Sequence, residues 1–279
     1  MPMYRIRSGT TLTELMIALV VMGIIGTGMV RLMTSQSRFF NEQEGTAAAR
    51  RVARSGLNLM FTDLRMVETD SSIVTATPTT LTVKLPYWVG ISCGLDSGLS
   101  GNHIAMPAID SMTLVTAGYS GYGYLDTNGV PHFVAGGPLQ SGSGSYCNSV
   151  GVDTVPHPRA SVILVKPGTA SMPAGTPVFL WRNVTYAFGT STSVTGRVGL
   201  FRTVAGNAGT VTEEIAAPFD SAAAFAYYVP GSTTPVSNPT AGTPVLGIDL
   251  RLIGLNERNI TNGQTQQARF ETSLYFKNR

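Results

Sequence analysis

The sequence predicts an α+β protein in which a long N-terminal α-helix, transmembrane in its first half, packs by its outer half on an antiparallel β-sheet in a β-rich C-terminal head. Three observations predict this. The run from Leu15 to Val30 is apolar and uncharged, and about 20 such residues are what a bilayer-spanning helix needs. Helical spacing of apolar residues then continues to Val67. From about residue 71 to the C-terminus the pattern changes to short alternating runs broken by Gly, Pro and Asn.

The helix start is marked chemically. Thr11-Leu12-Thr13-Glu14 has the form of a capping box, in which the Thr hydroxyl and the Glu carboxylate satisfy N–H groups that have no partner in the first turn. Arg5 and Arg7 precede it, which places the N-terminus in the cytoplasm and sends the bulk of the chain outward. An ordinary secretory signal reads the same residues differently. Leu15 to Ile25 then serves as the apolar stretch, Gly26-Thr27-Gly28 as the cut site, and Met29 as the start of a soluble exported protein. Glu14, standing between the basic residues and the apolar run, has no use in that scheme.

The block Gly9-Thr10-Thr11-Leu12-Thr13-Glu14 resembles the start of type IV prepilins and of type II secretion pseudopilins. Those have a short basic leader, a Gly before the cut, then an aromatic residue, Thr, Leu, any residue and Glu. Gly9, Thr11, Leu12 and Glu14 match; Thr10 stands where the family usually has Phe. The resemblance implies a leader over residues 1–9, cleavage by prepilin peptidase between Gly9 and Thr10, N-methylation of Thr10, and a salt bridge from Glu14 to the freed amine of a neighbouring subunit. It also implies an inner-membrane precursor with its head in the periplasm, which later enters a filament at the cell surface.

Residues 10–70 read as one helix, with its transmembrane half at about 12–33. Past Arg31, the residues Phe39, Phe40, Ala47, Ala53, Leu57, Met60, Phe61, Leu64 and Val67 form an apolar stripe, while Arg50, Arg51, Arg54, Asn58, Asp63 and Arg65 fill the other faces. The three arginines at 50, 51 and 54 read as a solvated face rather than a binding patch. At 1.5 Å per residue, Thr11 to Val67 spans roughly 85 Å. The close of the helix, Leu57 to Met66, resembles that of PilW-type minor pilins and J-type minor pseudopilins. Gly23, Gly26 and Gly28 weaken a soluble helix by about 1 kcal/mol each, yet allow close helix approach in a membrane or bundle.

The head, residues 71–279, opens with a hairpin. Leu81, Val83 and Leu85 alternate with Thr80, Thr82 and Lys84 after the turn at Pro78, and this hairpin is expected to give the helix its first sheet partner. From about 90 to 160 the chain is rich in Gly, Ser and Pro, and Cys93 and Cys147, its two cysteines, bracket most of this insertion. Export to an oxidising compartment predicts a disulfide between them. Further strands are expected at Ser161–Lys166, Val178–Tyr186, Val198–Thr203, Val211–Ile215 and Ala224–Val229, then along Leu246–Ile253 and Arg269–Lys277. The ending, Ala268 to Arg279, again resembles PilW-type and J-type proteins, and the resemblance as a whole implies a pilin fold.

Look-alikes of chemical sites point to structure instead. Gly90-Ile91-Ser92-Cys93-Gly94 fits the nucleophile pattern GxSxG, but lacks the following helix that the elbow needs. Asp126 and Asn128 suggest a calcium loop without its remaining ligands, and Asn128-Gly129 reads better as a hairpin turn. His103, His132 and His157 have no metal-ligand spacing. Tyr119, Tyr122 and Tyr124 would cover a sheet, or stack on bases or sugars of a DNA or surface ligand. Without the leader the formal charge falls from +3 to +1, too small for a broad nucleic-acid field. The expectation is thus a noncatalytic minor pilin without cofactor or metal, placed near the tip of a type IV pilus, with other pilins as partners through the helix. The alternatives are a minor pseudopilin of type II secretion, a soluble exported binding protein or hydrolase, and a tip receptor.

Overall fold

The computed structural model describes residues 11–67, 72–106, 119–126, 128–154, 161–206, 209–240, 242–256 and 265–276. Helix α1 runs from Leu12 to Leu64, 53 residues without a break, or about 80 Å. Thr11 caps it. Every residue from Thr11 to Glu44 is exposed, so the first two-thirds of α1 project from the head as a bare rod.

The head is antiparallel throughout its described ladders and is organised on two long strands, β2 (Thr80–Asp96) and β8 (Pro177–Thr190). They pair from Thr80 opposite Ala187 to Ile91 opposite Pro177. Each uses its other edge twice. Near α1, β1 (Ile73–Ala76) lies on β2 and β9 (Val198–Gly206) on β8; farther out, β3 (Gly101–Ala105) lies on β2 and β4 (Gly121–Leu125) on β8. The near half continues through β10 (Gly209–Phe219) to β12 (Gly247–Leu255), which carries β11 (Ala224–Tyr228) and β13 (Gln267–Tyr275). The far half adds β5 (Pro131–Ala135) on β4, then β7 (Val162–Val165) and β6 (Gln140–Ser141) beyond β3. A short helix, α2 (Gly144–Ser149), completes it. The described part of residues 90–160 therefore extends the same sheet.

Two apolar cores correspond to these halves. The near core joins Ala53, Met60 and Leu64 of α1, and Val67 just beyond it, to Leu81, Val83, Leu85, Val184, Leu200, Phe219, Ile248, Leu250 and Leu252. The far core contains Trp88, Ile104, Tyr119, Tyr122, Tyr124, Ile163, Val165, Met172, Val178 and Leu180. A bulge at Tyr87 connects them. Pro86 faces Trp181 and Trp88 faces Leu180, so one extra residue sits in β2, and the alternation that buries Leu81, Val83 and Leu85 passes to Trp88 rather than Tyr87.

Helix α1 rests mainly on β12, β13 and β10 rather than on the hairpin β1–β2 that the alternation pattern suggests as its first partner. The buried positions are Ala49, Ala53, Gly56, Met60, Asp63 and Leu64, with Val67 buried just past the helix end. Small residues at the first three allow the helix to touch strand backbone: a Cβ on Gly254 of β12 would lie 2.3 Å from the carbonyl oxygen of Ala49. Leu57 and Phe61 are half-buried at the margin, and Phe39, Phe40 and Ala47 of the expected stripe are exposed. Phe39 is ten residues, about 15 Å, before the first buried helix position, beyond the reach of the sheet.

Asp63 is the second departure from the expected stripe. Read as part of the polar face, it is instead buried against the sheet. Tyr186 Oη donates a very short hydrogen bond to Asp63 Oδ2, and Arg202 Nε donates to the same oxygen at 3.0 Å. Burial and the Asp63 charge push the Tyr186 hydroxyl far up, so it stays a donor. Helix, β8 and β9 are joined at this one carboxylate. In the far half, Cys93 of β2 and Cys147 of α2 form a disulfide with Cα atoms 4.9 Å apart, surrounded by Ala105, Val162, Tyr146 and Val152.

Two predictions follow from these pins. Asp63→Ala leaves the mostly buried Arg202 with only the exposed Glu213, 3.6 Å away, as a charge partner and should lower the unfolding free energy of the head by about 3 kcal/mol, read as a denaturant midpoint; a loss no greater than that of an exposed Asp153→Ala control would contradict the pin. Reducing Cys93–Cys147 should raise hydrogen exchange in β3, β7 and α2 while β12 and β13 remain protected, since the near core shares no residue with the disulfide cluster. Uniform loss of protection would count against independent halves.

Candidate functional site: the bare N-terminal helix

Glu14 is held toward the helix start by its own chain. Its backbone N–H donates to Thr11 Oγ1 at 3.3 Å, and Thr11 N–H donates back to Glu14 Oε2 at 3.2 Å. Both halves of the capping box are thus formed. The carboxylate lies beside the first turn, where free N–H groups and the helix dipole favour negative charge. Gly9 and Thr10, the expected cleavage and methylation positions, lie outside the described residues, as does the expected leader.

The apolar segment is exposed all round. Leu15, Met16, Ile17, Leu19, Ile24 and Val30 are all more than half exposed. Its hydroxyls are satisfied inside the helix: Thr27 Oγ1 donates to Gly23 O at 2.7 Å, and Thr34 Oγ1 donates to Arg31 O at 2.9 Å. From Leu15 to Val30 the one side-chain hydroxyl, that of Thr27, therefore needs no water, as a lipid environment demands. Cβ atoms added at Gly23, Gly26 or Gly28 would meet nothing within 4 Å, so no intramolecular contact accounts for these glycines. By length and composition α1 is able to cross a membrane, and an N-terminal apolar helix of this kind serves as a membrane anchor or a signal. About 20 residues suffice for the crossing. The following stretch, up to Glu44, is equally uncovered and carries Phe39 at 57% and Phe40 at 66% exposure.

The look-alike sites in the head fall into place structurally. Ser92 lies inside β2, fully buried, its hydroxyl donating to Met172 O at 3.2 Å and accepting from Gly94 N–H at 2.9 Å; its neighbour Cys93 is in the disulfide. His103 is buried between Asp96 (3.2 Å to Nε2) and the Ser143 N–H, which donates to Nδ1 at 3.1 Å. That arrangement requires the proton on Nε2 and ties β3 to the start of α2. Asp96 is lowered below the usual carboxylate range, first by its bond with His103. Asn128-Gly129 forms the β4–β5 turn, with Asp126 Oδ1 accepting from the N–H groups of Asn128 and Val130 at 2.8 Å each. His132 stacks on Tyr124, and His157 lies outside the described residues.

Tyr119, Tyr122 and Tyr124 are buried at 1%, 0% and 4% exposure, which removes them as a stacking surface for bases or sugars. Tyr122 donates to Pro167 O at 2.6 Å, and burial pushes its hydroxyl up to about 12. The interleaved glycines have their own reason: Cβ atoms on Gly121 and Gly123 would lie 2.5 Å from Trp181 and 2.4 Å from Phe179. Those rings cross the glycines on the opposite face. Arg50, Arg51 and Arg54 are exposed on α1, Arg54 reaching over the Phe270 ring at 5.9 Å.

Comparison with protein-family models, curated proteins and solved structures returned no match, which leaves the N-terminal motif and the bare helix as the features that speak to function.

Proposed function

We propose that the chain is a minor pilin: a noncatalytic subunit that inserts in the inner membrane, is cut between Gly9 and Thr10, and is built into or primes a type IV pilus, with the head as a pilin fold. The observation that carries this reading is the length of helix left uncovered. A membrane anchor accounts for the bare apolar segment to about Met33. It does not account for the next turns, where Phe39 and Phe40 stand in water on a helix with no tertiary support. An isolated helix gains little stability in water, and most helices in proteins are stabilised by packing. Lateral contact with helices of neighbouring subunits would supply it over the whole of Thr11–Glu44.

Glu14 has a defined part in that scheme. In a single chain its carboxylate accepts from Thr11 N–H and caps the helix. Cleavage after Gly9 would create an ammonium one residue earlier, and an ammonium offers this carboxylate a full opposite charge where the Thr11 N–H offers only a dipole. A neighbour's N-terminus arriving beside this carboxylate would replace the capping contact and neutralise both groups in an apolar filament core.

Three outcomes test the proposal. Intact-mass measurement should give a mature chain starting at Thr10, with the mass of one added methyl group; a start at Met29 would end the pilin reading. Glu14→Gln keeps a side chain that serves the capping box but removes the charge. Cleavage should then proceed while the ratio of subunit in sheared filaments to subunit in membranes falls, and an unchanged ratio would reduce Glu14 to a cap. Replacing Phe39 and Phe40 together by Ser should leave the stability of the head within about 0.5 kcal/mol and lower the same ratio; equal incorporation would show that this stretch makes no intersubunit contact.

A further inference from the structure

The part of α1 that rests on the sheet has a second patterned face. Arg54, Leu57, Asn58, Phe61, Thr62 and Arg65 recur at steps of three and four and so share one side of the helix, turned away from the buried stripe of Ala53, Gly56, Met60 and Leu64. Leu57 and Phe61 are half-buried, and with Asn58, Thr62 and Arg65 they line an open hollow of about 390 Å³. The Thr62 hydroxyl donates to Asn58 O at 2.9 Å, so it is satisfied within the helix. The two large side chains of the hollow are therefore apolar.

Arginines stand at both ends of this face. The Arg65 guanidinium lies 5.4 Å from the centroid of the Phe61 ring, and that of Arg54 lies 5.9 Å from the centroid of Phe270 on β13. Arg50 and Arg51, also exposed, precede Arg54 by about one turn. Between Gly45 and Arg65 the helix has one carboxylate, Asp63, which is buried against Tyr186 and Arg202. Among the described residues none of the four arginines is in an ion pair. A guanidinium over a ring uses its flat face, which leaves the N–H edge that matches a carboxylate. The ring contacts also restrict the two side chains, so less rotamer freedom remains to be lost on binding. A merely solvated run of arginines has neither the hollow nor these ring contacts.

We propose that this face is a docking site for an acidic helix of another protein, one that carries an apolar side chain between two carboxylates. The apolar side chain fills the hollow on Leu57 and Phe61, and the carboxylates meet Arg54 and Arg65. These two arginines are eleven residues apart in the chain, or about 16 Å along α1, so a helix lying alongside presents its acids about three turns apart. Such a partner matches both the charge of the face and its apolar floor. Nucleic acid would pair the cations through phosphate and leave the floor in water. The face lies beyond Met29 and is present whether the mature chain starts there or at Thr10, so the inference stands apart from the pilin reading.

The test places photoreactive benzoylphenylalanine at Asn58 of the full chain, in the cells that naturally make it, with the exposed Asp153 as the control position. Irradiation should give a protein adduct at Asn58 above that at Asp153, and mass spectrometry should place the link in a helical segment with acids on both sides of an apolar residue. Arg54→Glu with Arg65→Glu puts like charges opposite one another and should lower the yield at least about tenfold; Arg54→Glu alone, on the exposed end, should lower it severalfold and decides the matter if the pair does not fold. Changing the acids of the linked segment to Lys should restore the yield with the Glu variants. No adduct above the control, an adduct to nucleic acid, a linked segment without acids, or a yield unchanged by charge reversal would each overturn the site.

Discussion

Both halves of the head depend on the ladder between β2 and β8. It runs from Thr80 to Ile91 against Pro177 to Ala187 with one bulge at Tyr87, and every other described strand reaches the sheet through one of them. Because each strand lends its free edge first to one set of partners and then to another, a single pair of strands supports two cores. The near core is roofed by α1 and the far core by tyrosines from the chain entering and forming β4. The bulge at Tyr87 is the cost of this arrangement: it changes the strand twist between the halves and leaves polar atoms of Tyr87, Trp88, Arg182 and Asn183 buried without partners.

Much of this was readable in the chain. The helix, the capping box at Thr11 and Glu14, the hairpin after Pro78 and the alternating strand at Leu246–Ile253 all follow from period and turn chemistry, which are local properties. What was not readable depended on partners distant in sequence. Asp63 has the polarity of a surface residue, and its burial is explained only by Tyr186 and Arg202, more than 120 residues away. One sequence signal existed: Ala49, Ala53, Gly56, Met60, Asp63 and Val67 follow steps of four and three, so Asp63 stands on the apolar stripe by phase. Phe39 falls on the same steps counted back from Ala49 yet is exposed, because spacing says nothing of where the sheet ends. The spacing of Tyr122 and Tyr124 fits ligand and core alike; their burial goes with Gly121 and Gly123, which lie against Trp181 and Phe179 on the opposite face.

The two ends of α1 meet opposite demands. Its last third packs on the sheet through small residues and is pinned by a charge. Its first two-thirds keep the Thr27 and Thr34 hydroxyls bonded to carbonyls of the same helix and have no cover anywhere to Glu44. A helix so divided is rigidly attached at one end while its remaining surface is available over about 50 Å. Such a surface is suited to contacts between subunits that run alongside one another, because the head fixes the direction in which the rod leaves.

On the proposed reading, the physics of moving this rod from lipid into a filament limits what can drive assembly. Leu15 to Val30 is already among hydrocarbon in the membrane, and lipid tails are as apolar as leucine, so packing helix against helix gains little from the hydrophobic effect. The gain must come from close van der Waals contact, from polar groups that lipid leaves unmatched, and from the water-exposed turns around Phe39 and Phe40. Gly23, Gly26 and Gly28 make room for the first. Glu14 is the carboxylate of the second, for which a capping contact is a poorer partner than an ammonium. Phe39 and Phe40 belong to the third, where the hydrophobic effect acts at full strength because their surroundings are water. The three features occupy successive segments of one helix, and each favours a neighbour for a reason that lipid alone does not satisfy.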